Sequence, residues 1–228
     1  MLGANAGLWA VIVARVGNGA KSRLAGALDS TQRRRLALAM LGDVVAVCSE
    51  AWSLLDGVVA VVDEPAARWV AEHAGAVVVD DPTPGDMNAA ALRGILKARQ
   101  YGAQTVIVLP GDVPLISRHD LVALINAAAN ERRAVIVGAS RDGTGTNALL
   151  LRPTRIIDPA FGPPSVDRHM RAGLAAGAVT RVESKLGLSL DVDTPADLAA
   201  LADAPVGPRT AAVFGDLVHI ADTRLATR

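Results

Sequence analysis

Two acidic segments lie far apart in the chain, Leu109-Pro110-Gly111-Asp112-Val113-Pro114-Leu115 and Leu190-Asp191-Val192-Asp193-Thr194-Pro195. Each reads as the carboxyl end of a buried strand, with aspartate where the chain leaves the sheet. Open α/β sheets bind their ligands at that edge. Carboxylates from two such places can share a Mg²⁺ ion, a hard cation that takes oxygen ligands and bridges to substrate phosphates. Aspartate is also a common helix cap, and either segment alone reads equally well that way. Taken together, and with what lies between them, they favour a nucleotide-handling enzyme.

The stretch from Arg15 to Leu24 leaves the first apolar run, turns through Gly17 and Gly19, and presents Lys21 and Arg23. Glycines let a backbone approach phosphate closely enough for its N–H groups to cradle it. A lysine and an arginine then neutralise charge that develops during phosphoryl transfer. The spacing Gly17-x-Gly19-x-Lys21 is too short for a P-loop, and the third glycine of a dinucleotide fingerprint is missing. A solvated basic turn is the plain alternative, and phosphate binding is favoured over it.

Three further segments carry polar groups at turns. In Pro84-Gly85-Asp86-Met87-Asn88 a turn delivers Asn88 to the start of an alanine-rich helix, where it either caps the helix or, with Asp86, reads a guanine edge. Asp142-Gly143-Thr144-Gly145-Thr146-Asn147 sets hydroxyls and backbone N–H groups at close spacing. It suits a small anion better than an ordinary hairpin turn does. Phe161-Gly162-Pro163-Pro164-Ser165 places Ser165 as the cap of a helix, itself an anion site, with His169 one turn further in.

These segments need a scaffold, and the rest of the chain supplies one. Strands are expected at Leu8–Val13, Gly57–Val62, Ala76–Val79, Thr105–Leu109, Ala134–Gly138, Asn147–Arg152 and Thr180–Glu183. Helical stretches separate most of them. Continuous apolar strands between helices predict a parallel sheet covered on both faces, joined by right-handed crossovers. At 228 residues, 51% hydrophobic and 3% aromatic, the chain suits one α/β domain of β-branched strands on Ala/Leu helices, without an aromatic platform for nucleic acid. Zero net charge gives no field towards nucleic acid or an anionic membrane. The lone Cys48, in an apolar pattern, excludes an intrachain disulfide and a cysteine zinc cluster. No stretch reaches the roughly 20 apolar residues of a membrane span. The N-terminus lacks the form of a signal peptide, so the expected location is cytoplasmic. One domain over residues 1–204 is expected, followed by an extension over 205–228. There Pro205, Gly207 and Pro208 break the pattern before Ala211–Ile220, read as an extra strand, a swapped arm or a partly disordered stretch.

The chain resembles the guanylyltransferases of deazaflavin coenzyme F-420 biosynthesis, which act on 2-phospho-L-lactate, phosphoenolpyruvate or a phosphoglycerate. The resemblance runs over about residues 9–203 and is carried by Ala20-Lys21-Ser22-Arg23-Leu24, Asp142 to Leu149, Phe161-Gly162-Pro163 and Asp191 to Pro195. It implies an α/β fold of the GT-A-like (Rossmann-like) nucleotidyltransferase type, with a mostly parallel central sheet and helices on both faces. It also implies Mg²⁺ as cofactor, with GTP and a small phosphorylated carboxylic acid as partners. Residue by residue, Lys21 and Arg23 match the triphosphate positions and Asp112 a metal-binding carboxylate, and these form the catalytic set. Arg15, Gly19, Gly85, Asp86 and Asn88 complete the nucleotide set. Asp191 or Asp193 completes the metal set, and Thr146, Gly162 and Ser165 fall where the acid binds, with Thr144 close by. A homodimer is compatible with this reading. Arg15 stands where members usually carry lysine, and Asp86 where they carry glycine. Pro164 and Val166 stand where members carry glycine and phenylalanine. A molybdopterin-type nucleotidyltransferase and a catalytically inactive nucleotide-binding homologue are the rival readings.

Overall fold

The computed structural model describes residues 7–17, 19–81, 85–184, 186–202 and 204–226. Asn18 and Pro84 of the loop motifs, and the first residues on which the leader reading rests, lie outside these. Seven strands form one sheet: β1 (Leu8–Ala14), β2 (Gly57–Val62), β3 (Val77–Asp80), β4 (Thr105–Pro110), β5 (Ala134–Ala139), β6 (Thr146–Arg152) and β7 (Val179–Glu183). Their spatial order is β3-β2-β1-β4-β6-β5-β7. The chain thus builds outward from β1 in one direction, then returns to place β4 on its other flank. The crevice at the carboxyl ends of β1 and β4 is therefore a topological switch point.

The pairings β1/β2, β1/β4, β2/β3 and β5/β7 are parallel, as the alternation of strands and helices predicts. β6 departs from that expectation, running antiparallel to both β4 and β5. The reason is local. Residues 140–145 are too few for a crossover, so the chain folds back as a hairpin. Reversal brings Thr146, the first residue of β6, to the same edge as the ends of β1 and β4.

Both faces are covered. Helices α1 (Ser30–Glu50), α2 (Pro65–His73) and α4 (Arg118–Ala127) bury Leu41, Val44, Ala71 and Leu121 against one face. α3 (Met87–Gln100) and α5 (Ser165–Ala175) cover the other, with Ala91 and Ile95 over Val11 and Val61. Gly94 lets α3 lie close to the sheet, because a Cβ there would come within 2.3 Å of Val11 Cγ1. α6 (Leu186–Ser189) and α7 (Pro195–Ala200) flank the second acidic segment. That segment follows the short α6, so the expectation that a strand would lead into Asp191 is corrected.

The tail is not the extra strand that was one of its readings. It is a helix, α8 (Pro208–Ala226), lying along α1 and closing a third apolar cluster of Leu36, Met40, Leu201 and Leu217. Pro208 opens the helix, where its missing N–H costs nothing. The cap comes from another helix: the buried Asp43 of α1 accepts from the N–H groups of Arg209 (3.1 Å) and Thr210 (2.7 Å). Among the described residues, no helix is long and apolar enough to cross a membrane.

Asp43→Ala is expected to lower the unfolding free energy by about 1–2 kcal/mol, because the two α8 amides lose their acceptor. Urea titration of both proteins checks this; equal midpoints would mean that Asp43 does not hold α8.

Candidate active site

The loop between β1 and α1 is shaped by backbone strain and a carboxylate. Asp63, one residue beyond β2, accepts from the N–H groups of Val16 (2.9 Å) and Gly17 (3.2 Å) and so pins the loop at its start. Lys21 then adopts the left-handed region at φ 53°, which is sparsely populated by non-glycine residues. This conformation begins a single 3-10 turn over Ser22–Leu24 and sends the Lys21 side chain back across the sheet edge.

There the ammonium meets both acidic segments. Lys21 Nζ donates to Asp112 Oδ2 and, over 2.9 Å, to Asp193 Oδ1, and the lysine side chain is only 6% exposed. The backbone locks the same geometry, since the Val192 N–H donates to the Asp112 carbonyl over 3.2 Å. Gly111 permits the close approach of β4 to β1, as a Cβ would lie 2.7 Å from that of Ala14. Arg23 Nη1 stands 4.0 Å from Asp193 Oδ2 on the solvent side.

The charges shift one another. Burial works to discharge Lys21, but Asp112 and Asp193 outweigh it and hold the ammonium above its ordinary pKa. Burial also opposes ionisation of Asp193, and the Lys21, Arg23 and Arg15 charges overcome it, lowering its pKa. Asp191 goes the other way, pushed up by burial first and by the Asp112 charge second. The Asn147 amide donates to Asp191 Oδ1 over 3.1 Å and partly offsets this. Lys21 therefore pairs with two carboxylates, Asp191 lies within reach of the Asp112 charge, and Asp112 Oδ1 is buried without a hydrogen-bond partner. An unpartnered buried carboxylate oxygen beside other carboxylates can take a further cation.

A cavity of about 480 Å³ opens over this group, lined by Arg15, Gly19, Lys21, Arg23, Asp112 and Asp193 among others. It also takes in Asp63, which the sequence reading passed over. The signal for it was the same as for Asp112, an aspartate directly after an apolar strand.

The remaining candidates, Asp191 included, lie outside the lining of this cavity and have roles the sequence did not separate. Asp86 is the cap of α3, accepting from Asn88 and Ala89 N–H groups at 2.9 and 3.1 Å. The Asn88 side chain pairs with the backbone of Phe161: its Oδ1 accepts from the Phe161 N–H over 2.6 Å, and its Nδ2 donates to the Phe161 carbonyl. Asn88 thus ties α3 to the loop before α5. Gly85 sits at φ +129° beside Arg15, and Gly162 at φ +93° has its carbonyl held by Arg168. Thr144 donates its hydroxyl to Asp142 and its N–H to the same carboxylate, which rigidifies the β5–β6 turn.

Ser165 is the first residue of α5, with Pro164 at the cap position, so the expectation of a Ser165 cap is corrected. Its hydroxyl bonds Thr146 Oγ1 instead, at 3.0 Å. Thr146 Oγ1 also lies 3.1 Å from Nδ1 of His169. His169 is fully buried, edge-on to Phe161, with Nε2 accepting from the Ala160 N–H at 2.9 Å. Its side chain therefore supports this edge from within. Burial first, and the Arg168 charge second, bring its pKa down from 6.5 to about 4.

A family model described as "Guanylyl transferase CofC like" matches residues 9–203. The phosphoenolpyruvate guanylyltransferase of Conexibacter woesei is 38% identical over 193 residues, covering 85% of this chain and 86% of its own. That of Mycobacterium marinum is 39% identical over 210 residues, covering 89% and 91%. Among solved structures, a presumed nucleotide-diphospho-sugar transferase from Desulfovibrio desulfuricans G20 superposes with a TM-score of 0.72 at 13% identity, covering 95% of each chain. A cytidylyltransferase from Leptospira borgpetersenii superposes at 0.55 with 15% identity, covering 96% of this chain and 95% of its own. At such identities the structural likeness speaks for the fold alone, a nucleotidyltransferase architecture.

Between pH 6.5 and about 4 the unfolded chain takes up a proton on His169 that the folded chain does not. Stability from this group is therefore complete above pH 6.5 and is lost as the pH falls towards 4, by up to roughly 3 kcal/mol. Denaturant titrations of wild type and His169→Gln at pH 7 and pH 4.5 test it. The wild type should lose more stability than the variant between the two; parallel losses would count against it.

Proposed function

The chain belongs to the CofC-like guanylyl transferase family, and from that premise we propose that it moves GMP from GTP onto the phosphate of a small phosphorylated carboxylic acid. Phosphoenolpyruvate is the acceptor favoured here, since curated relatives at 37–39% identity carry that name. 2-Phospho-L-lactate and 3-phosphoglycerate are its nearest chemical alternatives. The product belongs, on this reading, to cytoplasmic coenzyme F-420 assembly. The observation that carries the proposal is the buried Lys21 ammonium joined to Asp112 and Asp193 at the switch point of the sheet.

Among the described residues no group of three acidic, histidine or cysteine side chains stands as a ready metal cage. Mg²⁺ does not require one, because it is usually held by one or two carboxylates together with substrate phosphates and water. Asp112, with its free Oδ1, and Asp193 or Asp191 are the residues that would hold it. Bound there, Mg²⁺ would supply charge neutralisation for the triphosphate and a template for it.

The chain's own groups do the rest. Lys21 and Arg23 face the triphosphate from the loop after β1, and Arg15 adds positive charge at the rim. Lys21 exchanges carboxylate partners for phosphate oxygens as the nucleotide arrives. A phosphate oxygen of the acid attacks the α-phosphorus in line. The new P–O bond forms as the bond to the bridging α–β oxygen breaks, and pyrophosphate leaves with that electron pair. The nucleophile is already an anion, so no general base is needed. Positioning and electrostatic neutralisation lower the barrier. Thr144, Thr146, Gly162 and Ser165 shape the acceptor side, with the last three acting through the loop and hydroxyl pair around Phe161.

Pyrophosphate release is the test, with Mg²⁺ present and GTP, CTP and ATP crossed against the three acids. Release is expected with GTP and phosphoenolpyruvate; release only with CTP, or none with folded protein, would overturn the proposal. Asp112→Asn should keep its fold by circular dichroism and lose at least about 10²-fold in turnover. Turnover equal to wild type would remove Asp112 from the chemistry.

A further inference from the structure

The buried contacts of His169 determine which way the hydrogens of the Thr146–Ser165 pair can point. A backbone N–H only donates, so the Ala160 N–H at 2.9 Å requires a lone pair on His169 Nε2. The ring proton of the neutral imidazole must then sit on Nδ1, which faces Thr146 Oγ1 at 3.1 Å and donates to it. Thr146 and Ser165 share one hydrogen bond of 3.0 Å between their oxygens. Two hydroxyl hydrogens are available, one is spent in that bond, and His169 accepts neither. Whichever hydroxyl donates within the pair, one hydrogen is left over, and among the described residues the pair's side-chain partners are only each other and His169.

We infer that His169 is a positioning residue, which makes the Thr146–Ser165 hydroxyl pair a net hydrogen-bond donor towards an anionic oxygen of the phosphorylated acid. The inference deepens the proposed function and rests on it for the identity of the ligand. Place supports it: Thr146 opens β6 at the functional edge, next to Asn147, whose amide reaches Asp191. Thr146 keeps 6% of its surface exposed, whereas Ser165 and His169 have none, so the spare hydrogen can reach a ligand only through Thr146. An imidazole of the opposite tautomer would accept from Thr146 and consume the spare hydrogen, leaving lone pairs that repel a carboxylate or phosphate. The Ala160 N–H, which needs a lone pair on Nε2, excludes that arrangement. The shifted pKa of the ring agrees with a group held neutral.

Two measurements test the inference. In the first, ¹⁵N NMR of the full-length protein, histidine-labelled and at pH 7, reports the tautomer of His169. Four histidines make assignment by single replacement practical. The Nδ1–H form is expected, opposite to the form favoured by imidazole in water; an Nε2–H form overturns the inference whatever the enzyme's activity. In the second, steady-state kinetics compare His169→Leu with His169→Gln. The glutamine amide can accept from Ala160 and donate to Thr146, as the imidazole does. His169→Leu should raise KM for the acid about tenfold, with kcat and KM for GTP within about threefold, and His169→Gln should recover most of the loss. Equal defects in the two variants, or a rise in both KM values together, would show a purely structural role and overturn it. Should His169→Leu not fold, the tautomer and His169→Gln decide. Failure of the proposed function reads differently, as wild-type protein with no turnover on any acid while the Nδ1–H signal is present.

Discussion

A single buried ammonium holds the functional edge together. Lys21 reaches across from the loop after β1 to carboxylates that follow β4 and α6, so residues 21, 112 and 193 meet at one point. Three constraints exist to make that meeting possible. Asp63 fixes where the loop starts, the left-handed backbone at Lys21 aims the side chain, and Gly111 lets β4 run close beside β1. A buried ammonium with fewer partners would discharge, and the carboxylates without it would repel one another. Each side of the cluster therefore depends on the other to stay ionised in a half-dry site.

The balance is deliberately incomplete. Lys21 bonds two carboxylates, Asp191 is pushed towards its neutral form, and one oxygen of Asp112 has no partner. A site whose every oxygen was satisfied by its own side chains would have nothing to offer a further cation. The polar network around His169 is organised by the opposite rule: every ring nitrogen is satisfied, and the surplus is a hydrogen. The two clusters present complementary chemistry along one edge, lone pairs on one side and a donor on the other.

Much of this was legible in the sequence. The apolar runs around Val11, Val59 and Val108 announced strands, and the acids and cations after them announced the functional edge, because burial and charge are written locally. The direction of β6 was not legible. An apolar run such as Ala148 to Leu151 has the same pattern in either orientation, and only the shortness of the preceding turn distinguishes them. Helix α8 was hidden by reading Pro205, Gly207 and Pro208 as breakers, although proline is well suited to a first helical turn. Its cap, Asp43, lies far upstream and gives no local signal. Side-chain roles failed for a similar reason. Asn88 and Ser165 were seen as polar groups at turns, but whether each binds a backbone, a neighbour or a ligand is decided by Phe161 and Thr146, distant in the chain. The second acidic segment was expected to end a strand, since nothing in Leu190-Asp191-Val192-Asp193 reveals that a backbone bond to Asp112 positions it instead.

The reversal of β6 divides the sheet into two parts with separate histories open to them. On one side of β4 lie β1, β2 and β3 with the lysine loop; on the other lie β6, β5 and β7, with the hairpin turn and the loop before α5. Besides the Lys21–Asp193 pair, ties between the parts at the edge include the Asn88–Phe161 pairing and the Asn147–Asp191 bond. Insertions or replacements in the far half, at positions such as 164 and 166, leave the strand pairing beneath Lys21 intact. One pocket wall can therefore be altered while the strand pairing beneath the other is kept.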